Sequence, residues 1–201
     1  LVTGSSGFIG KALCKKLENE KVSILPVNSD TGDIASPTTW QGYPSAEVVI
    51  HLAGCSFVPD SWSKPANFVN TNILGTQNAL DYCKRNKSRL IFISAYIYGI
   101  PEALPIKESH SINPSNPYAL SKHLAEQLCE FAVSSRQVSC VTALRLFNVY
   151  GAGQREEFLI PSIINKISKG SEIDVYDLKP RRDFIYIDDV ISAITSAVKI
   201  D

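Results

Sequence analysis

No stretch of this 201-residue chain is apolar for long enough to span a bilayer, although hydrophobic residues make up 44% of it. A globular protein with no membrane partner is the expectation. Net charge is missing too, because twenty Lys and Arg residues cancel twenty Asp and Glu residues. That balance argues against a nucleic-acid scaffold but leaves room for a local basic pocket around one phosphate group. Cysteine is sparse and odd in number: Cys14, Cys55, Cys83, Cys129 and Cys140 are scattered, mostly in apolar stretches. They read as reduced core thiols of a cytoplasmic protein, not as a disulfide framework or a metal site. The pattern of a signal peptide is absent, as are internal repeats, low-complexity segments and linkers. The length suffices for one domain with a full core.

What the chain does have is apolar strands alternating with helical patterns. Strands are expected at 1–3, 22–27, 47–53, 89–94, 139–147 and 172–176. Helices are expected at 8–20, where Ile9, Leu13 and Leu17 recur at helical spacing, and at 65–85, 117–134, 158–169 and 188–199. Pro65 and Pro117 suit the first turn of their helices. This alternation gives an α/β fold in which a parallel sheet is covered by helices on both faces. Residues 1–3 read as the last half of a strand, so native residues are expected before them. The Pro- and Ser-rich stretch 101–117 reads as a loop on the side of the candidate site, not as a domain boundary.

Between the first strand and first helix stands Thr3-Gly4-Ser5-Ser6-Gly7-Phe8-Ile9-Gly10. Glycines there permit positive φ, let backbone N–H groups approach an anion, and let the helix pack closely on the strand. A dinucleotide pyrophosphate is the expected ligand, although the spacing is G-x-x-G-x-x-G and not G-x-G-x-x-G. An acid at the end of the second strand would select NAD, and a basic residue would select NADP. The residue at that place by spacing is Asn28, which is neither. Asp30 is a substitute if its loop swings inward. Asp33, within Gly32-Asp33-Ile34, can accept from an adenine amino group or else serve as a cap or turn residue.

Tyr118-Ala-Leu-Ser-Lys122 places a phenol and an ammonium four residues apart, on one face of a helix. A Lys cation beside a phenol favours the phenolate, so the spacing predicts a Tyr118 pKa lowered from about 10 toward neutrality. That would make a proton-transfer group at cellular pH. An ordinary surface helix carries the same spacing by chance, so the motif gains meaning only from its company.

That company is specific. In order along the chain come TGSSGFIG (3–10), GDI (32–34), HLAG (51–54), N-x-x-G-T (72–76), SAYIYG (94–99), NPYALSK (116–122), RLFNVYG (145–151) and PRRDFIYIDDV (180–190). The chain resembles the extended short-chain dehydrogenase/reductase family, in its NAD-dependent nucleotide-sugar epimerase/dehydratase branch, over essentially all residues. The resemblance implies a Rossmann-type doubly wound sheet: a dinucleotide-binding domain over 1–150, and over 151–201 part of a small C-terminal substrate-binding region interleaved with its end. It implies that Ser94 donates to the reacting sugar oxygen, Tyr118 exchanges its proton, and Lys122 holds the nicotinamide ribose and lowers the Tyr118 pKa. Cofactor-lining positions by the same carry-over are Gly4, Gly7, Phe8, Ile9, Gly10, Asn28, Asp33, Ile34, Leu52, Ala53, Gly54, Asn72 and Phe147. The hydrophobic ones among them would equally be core. Asn148 and Arg182 correspond to residues that grip the substrate diphosphate, with Arg181 an alternative to Arg182. Leu159-Ile160-Pro161 corresponds to the segment packing on the nucleotide base. A homodimer built as a four-helix bundle from helices 65–85 and 117–134 is implied as well.

Departures from the family pattern narrow the reading. The interval between the second strand and Gly32 is short, so the usual helix there is expected to be absent. Residues 177–181 lack the Gly-containing hairpin before R-D-F. Ala95-Tyr96 replace the Asp-Glu pair that sugar dehydration uses, and Tyr96 also replaces the Cys of relatives making GDP-fucose. Family members run longer than this chain, so part of the substrate-capping region is expected to be missing. The leading expectation is an NAD-dependent 4-epimerase acting on a UDP-hexose. An NADPH- or NADH-dependent 4-keto-sugar reductase is the alternative, and a non-catalytic dinucleotide-binding protein is a third.

Overall fold

A computed structural model describes residues 1–173 and 177–200. Five parallel strands, β1 (Val2–Thr3), β2 (Pro26–Val27), β3 (Val48–His51), β4 (Arg89–Ala95) and β5 (Val141–Leu146), form one sheet in the order β2-β1-β3-β4-β5. The chain moves from β1 outward to β2 and returns on the other side of β1 to lay down β3. The order therefore reverses between β1 and β3, the place where open α/β sheets leave a crevice beyond their C-terminal ends.

Alternation along the strands divides the apolar residues between two layers. Val49, Leu90 and Phe92 face α5 (Gly75–Asn86) and α6 (Pro117–Ser134), meeting Tyr82, Ala125 and Cys129. Ile50, Ile91 and Ile93 face α1 (Phe8–Asn19) and α8 (Ile187–Lys199), meeting Leu13, Leu17, Val190 and Ile194. Burying one such side chain contributes roughly 1.5–3 kcal/mol, so both faces hold their helices firmly.

The elements differ from expectation where neighbours, not periodicity, set the boundary. β2 is confined to Pro26–Val27 because those are the residues that β1 pairs with. The helix expected at 65–85 runs without a gap from Pro65 to Asn86 as α4 (Pro65–Phe68), a π-helical segment (Val69–Leu74) and α5. Two short helices, α2 (Pro37–Gln41) and α3 (Val58–Ser63), lie where none is expected; each is too brief to show a period and each carries proline in its first turn. The stretch 139–147 yields β5, and directly after it β6 (Asn148–Tyr150) leaves the main sheet to pair in parallel with β7 (Phe184–Tyr186). Helix α7 (Leu159–Ser168) follows β6. Of the strand expected at 172–176, Glu172 and Ile173 are irregular, and 174–176 lie outside the described residues. Asn28 to Gly32 is a turn with no helix. No helix among the described residues is long and apolar enough to cross a membrane.

Candidate active site

Every strand of the main sheet delivers candidate residues to the same edge. Gly4 follows β1, Asn28 follows β2, Leu52 to Gly54 follow β3, Ser94 is the penultimate residue of β4, and Phe147 follows β5.

The first turn is built by close approach. Gly4 has φ +67°, and a Cβ there would lie 2.7 Å from the Ala53 nitrogen. A Cβ on Gly10 would lie 2.1 Å from the Gly4 carbonyl oxygen, so α1 sits directly on the turn. Helix α1 has Gly7 as its N-cap residue, with no side-chain cap and no acid in its first turn. Its first N–H groups are therefore left for an anion, favoured further by the helix dipole. These features fit a dinucleotide pyrophosphate.

Beneath the turn, buried polar groups join three of the sequence motifs. Thr3 Oγ1 accepts from Ala53 N at 3.1 Å and lies 2.8 Å from His51 Nδ1. His51 Nε2 lies 3.2 Å from Thr76 Oγ1, which donates to the Asn72 carbonyl at 2.6 Å. Each hydroxyl has one proton. Thr76 spends its own on Asn72, so it accepts from a protonated Nε2, and Thr3 donates to Nδ1. Burial, with a smaller contribution from the Lys122 charge, pushes the His51 pKa down to about 3, so this neutral tautomer persists across the physiological range. Sequence reading included Thr3, His51 and Thr76 in the motifs TGSSGFIG, HLAG and N-x-x-G-T but gave none of them a role of its own.

A second set of bonds fixes α6. Asn72, brought round by the π-helical turn, accepts from Cys55 N at 2.8 Å through Oδ1. Its Nδ2 donates to Cys55 O at 3.0 Å and to Ser121 Oγ at 2.8 Å. Ser121 in turn donates to the Tyr118 carbonyl at 2.7 Å. One turn beyond Lys122, Glu126 receives Arg145 of β5 in a two-pronged ion pair whose closest contact is 2.7 Å. Ser121, Glu126 and Arg145 were also missed, since nothing in their spacing reveals a partner on another element.

Within that frame, Ser94 is buried, and its Oγ has no hydrogen-bond partner among the described residues. Such a group is costly unless a ligand satisfies it. Ser94 shares a sheet face with Phe92, two residues earlier, and Lys122 Nζ lies 4.1 Å from the Phe92 ring centroid. Lys122 is itself buried, and burial lowers its pKa to about 8, partly offset by Cys129 and Glu126. Tyr118, in the first turn of α6 and half-buried, packs edge-on against Phe68 with centroids 6.2 Å apart. Its pKa departs from expectation in direction: burial pushes it up to about 12, and among the described residues no hydrogen bond joins its hydroxyl to Lys122. Four-residue spacing gives a shared helix face, but a partly desolvated ammonium that makes no contact does not lower the phenol.

The other candidates divide into committed and open side chains. Phe8, Ile9, Leu52 and Ala53 are half-buried against the core layers, and Ile34 is wholly core, its carbonyl taking the Trp40 and Asn78 side chains. Gly54 backs directly onto Asn72. Asn28 Oδ1 accepts from the backbone of Asp30 and Thr31, and Asp33 Oδ1 from Ala35 N, so both organise their own loop. Phe147 stands edge-on to Tyr96 at 5.0 Å. On the outer ribbon, Asn148 donates through Nδ2 to the Asp183 carbonyl at 3.0 Å, which brings it beside exposed Arg182. Arg181 is exposed as well, and Leu159 opens α7 with its side chain half exposed. Among the described residues no cluster of three or more His, Cys, Asp or Glu side chains could hold a metal ion.

Comparison with known proteins agrees with this architecture. The model of the NAD dependent epimerase/dehydratase family matches residues 1–200. GDP-6-deoxy-D-mannose reductase of Pseudomonas aeruginosa is 36% identical over 96% of the chain and 67% of its own length. A putative UDP-glucose 4-epimerase of Methanocaldococcus jannaschii is 33% identical over 96% of the chain and 71% of its own. Among solved structures, MoeE5 in complex with UDP-glucuronic acid and NAD superposes with a TM-score of 0.92 at 29% identity, covering 100% of this chain and 72% of that one. With the glycine turn, the orphan serine and the buried lysine at one sheet edge, the chain belongs to the NAD-dependent epimerase/dehydratase family of enzymes.

Proposed function

We propose that the protein is an NAD-dependent nucleotide-sugar 4-epimerase acting on a UDP-hexose, with Ser94, Tyr118 and Lys122 as its catalytic residues. The observation that carries this reading is the buried, unpartnered Ser94 Oγ on the sheet face that also receives Lys122. Bound NAD supplies the hydride acceptor and donor of the reaction. Ser94 holds the sugar C4 oxygen with its one free proton. Tyr118 takes the hydroxyl proton as the C4 hydride departs and returns a proton when the keto sugar is reduced on its other face. Lys122 orients the cofactor ribose and places a positive charge near the phenol. The raised Tyr118 pKa belongs to the protein alone; charge brought in with the cofactor is what lowers it for catalysis.

Two observations narrow the outcome. Tyr96 takes the place of a dehydratase acid, and its hydroxyl donates to the Gly99 carbonyl at 2.5 Å, which disfavours elimination. Residues 28–33 include Asp30 and Asp33 but no basic side chain, an environment that suits NAD better than the extra phosphate of NADP. The second reading, a net 4-keto-sugar reductase, is favoured by the 36% identical reductase of Pseudomonas aeruginosa. Leu120, Leu124 and Phe131 are exposed along one face of α6, and we assign that face to a homodimer. Five free thiols suit a cytoplasmic enzyme.

The test is turnover of Tyr118→Phe against wild type. It should retain NAD while losing ~10²–10⁴ in rate, the range for a positioned acid/base. Wild-type rate in that variant would reject the mechanism. Stoichiometric consumption of reduced nicotinamide, followed by absorbance, would replace the epimerase with the reductase.

A further inference from the structure

Ser94 and Tyr118 stand on consecutive elements of the fold, and the chain between them, residues 96–116, contains no helix or strand. A connection so long and irregular does not by itself fix how its two ends are spaced. The register of β4 and β5 sets Arg145 directly opposite Ser94, so the two side chains share the sheet face that α6 covers. From there the Arg145 guanidinium reaches three separate partners. Its Nε donates to the two Glu126 carboxylate oxygens at 3.0 and 3.1 Å, and its Nη2 to Oε2 at 2.7 Å. Its Nη1 donates to Tyr98 Oη at 2.8 Å and to the Glu108 carbonyl at 3.2 Å.

Each partner belongs to a different stretch of chain. Tyr98 lies four residues beyond Ser94, Glu108 is midway along the connection, and Glu126 sits one turn past Lys122. Tyr98 and Glu126 are buried, and a planar fork holds such partners at set angles as well as set distances. The connection is also closed on itself near its start. Asn113 N donates to the Ile97 carbonyl at 3.1 Å, and a Cβ on Gly99 would lie 2.3 Å from the Asn113 carbonyl oxygen. Residues 97–113 thus make a closed loop, and Arg145 fastens that loop to α6. We infer that Arg145 is a positioning residue, which through Tyr98, Glu108 and Glu126 sets Ser94 in place against Tyr118 and Lys122. The inference rests on the reading of those three as catalytic and adds to it the residue that keeps them at their working separation. None of these bonds reaches the turn at 4–10 or the β6–β7 ribbon. Loss of Arg145 therefore falls on the chemical step and not on the binding of cofactor or substrate.

Turnover of the full-length, NAD-loaded enzyme on UDP-glucose, dTDP-glucose, GDP-mannose and CDP-glucose tests this, with rates expressed per bound NAD so that unfolded protein does not count. Arg145→Gln should lower kcat by ~10²-fold, the scale of a misplacement of about 1 Å at a reacting centre. KM for the sugar nucleotide and the NAD Kd should stay within about threefold of wild type. Arg145→Lys keeps the charge beside Glu126 but not the fork, and should recover part of the rate, leaving a loss of ~10-fold in kcat. Tyr98→Phe removes one acceptor and should cost about 3-fold in kcat. An unchanged kcat in Arg145→Gln, or a loss confined to KM, overturns the assignment. Should Arg145→Gln fail to fold, wild-type kcat in both Arg145→Lys and Tyr98→Phe overturns it equally. Tyr118→Phe, assayed beside them, separates this inference from the reading beneath it. If Tyr118→Phe turns over at the wild-type rate, the catalytic reading falls and the role of Arg145 with it. If Tyr118→Phe is slowed while the Arg145 variants are not, the role of Arg145 alone is removed. Wild type that turns over none of the four sugar nucleotides removes the nucleotide-sugar reading and the positioning role together.

Discussion

Asn72 and Asn148 are the same residue in the two halves of one site, and they are held in opposite ways. Asn72 is wholly buried and spends its amide on three bonds, two to the backbone of Cys55 and one to Ser121. Asn148 is exposed and makes a single side-chain bond, to the Asp183 carbonyl. The same contrast runs through the elements around them. Helix α6 buries seven residues, Lys122 among them, and is tied to β5 by Glu126 and Arg145. Helix α7, beside the outer ribbon, has no buried residue. The half assigned to cofactor and catalysis is thus set in advance by packing and hydrogen bonds, while the half assigned to the substrate presents open side chains. Preorganised polar groups stabilise developing charge without rearranging at the moment of reaction. Substrate recognition tolerates looser support, because affinity gained on binding can order exposed groups.

The contrast breaks most clearly at Asn72. Asn72→Ala would leave the part-buried N–H and C=O of Cys55 without partners and remove the donor to Ser121 Oγ, which still donates to the Tyr118 carbonyl, at roughly 1–3 kcal/mol for each group left unsatisfied. The expected loss of unfolding free energy is about 3 kcal/mol or more, measured by urea titration at neutral pH. A loss below about 1 kcal/mol would mean that the bonds between β3, the π-helical turn and α6 are not what holds the catalytic half together.

Acid supplies the next largest effect. His51 has its folded pKa near 3 and an ordinary value of 6.5, so between those limits the unfolded chain binds more protons than the folded one. Stability contributed by the neutral, buried ring is complete above pH 6.5 and is lost as pH falls toward 3. At pH 4.5 the loss from this group should be about 2–3 kcal/mol. Comparing the pH 7 to pH 4.5 change in stability of wild type with that of His51→Gln isolates it, because the carboxylates titrate alike in both. Equal slopes would show that His51 is not the acid-sensitive element.

Much of this was legible in the sequence, for reasons that particular residues make plain. Glycines 4, 7 and 10 stand out because a tight turn and a close helix approach depend on backbone conformation, and Tyr118 and Lys122 because helical spacing sets them on one face, both local properties. The layers were readable from adjacent apolar residues such as Leu90 and Ile91, which a buried parallel strand sends to opposite faces. What stayed hidden is what depends on a second element. The π-helical turn within the helix expected at 65–85 coincides with Asn72 reaching Cys55 and with Gly75 abutting Ile34, contacts between segments far apart in sequence. The direction of the Tyr118 shift was misjudged because spacing reports proximity but not burial. The partner of Glu126 could not be read at all, since Arg145 lies on another strand.

Asn148 marks the small end of the comparison. Asn148→Ala removes one exposed side-chain bond, and the Asp183 carbonyl keeps the Asn148 backbone N–H as a donor, 3.2 Å away. The carbonyl is therefore not orphaned, and water replaces the lost amide. Unfolding free energy should fall by less than about 1 kcal/mol, in keeping with an exposed hydrogen bond. Because the proposed role of Asn148 is to hold the substrate diphosphate, KM for the sugar nucleotide should rise severalfold while the NAD Kd is unchanged. A stability loss as large as that of Asn72→Ala would place the β6–β7 ribbon within the preformed half and erase the contrast. An unchanged KM would instead remove Asn148 from the substrate side, leaving its amide only the task of joining β6 to the segment before β7.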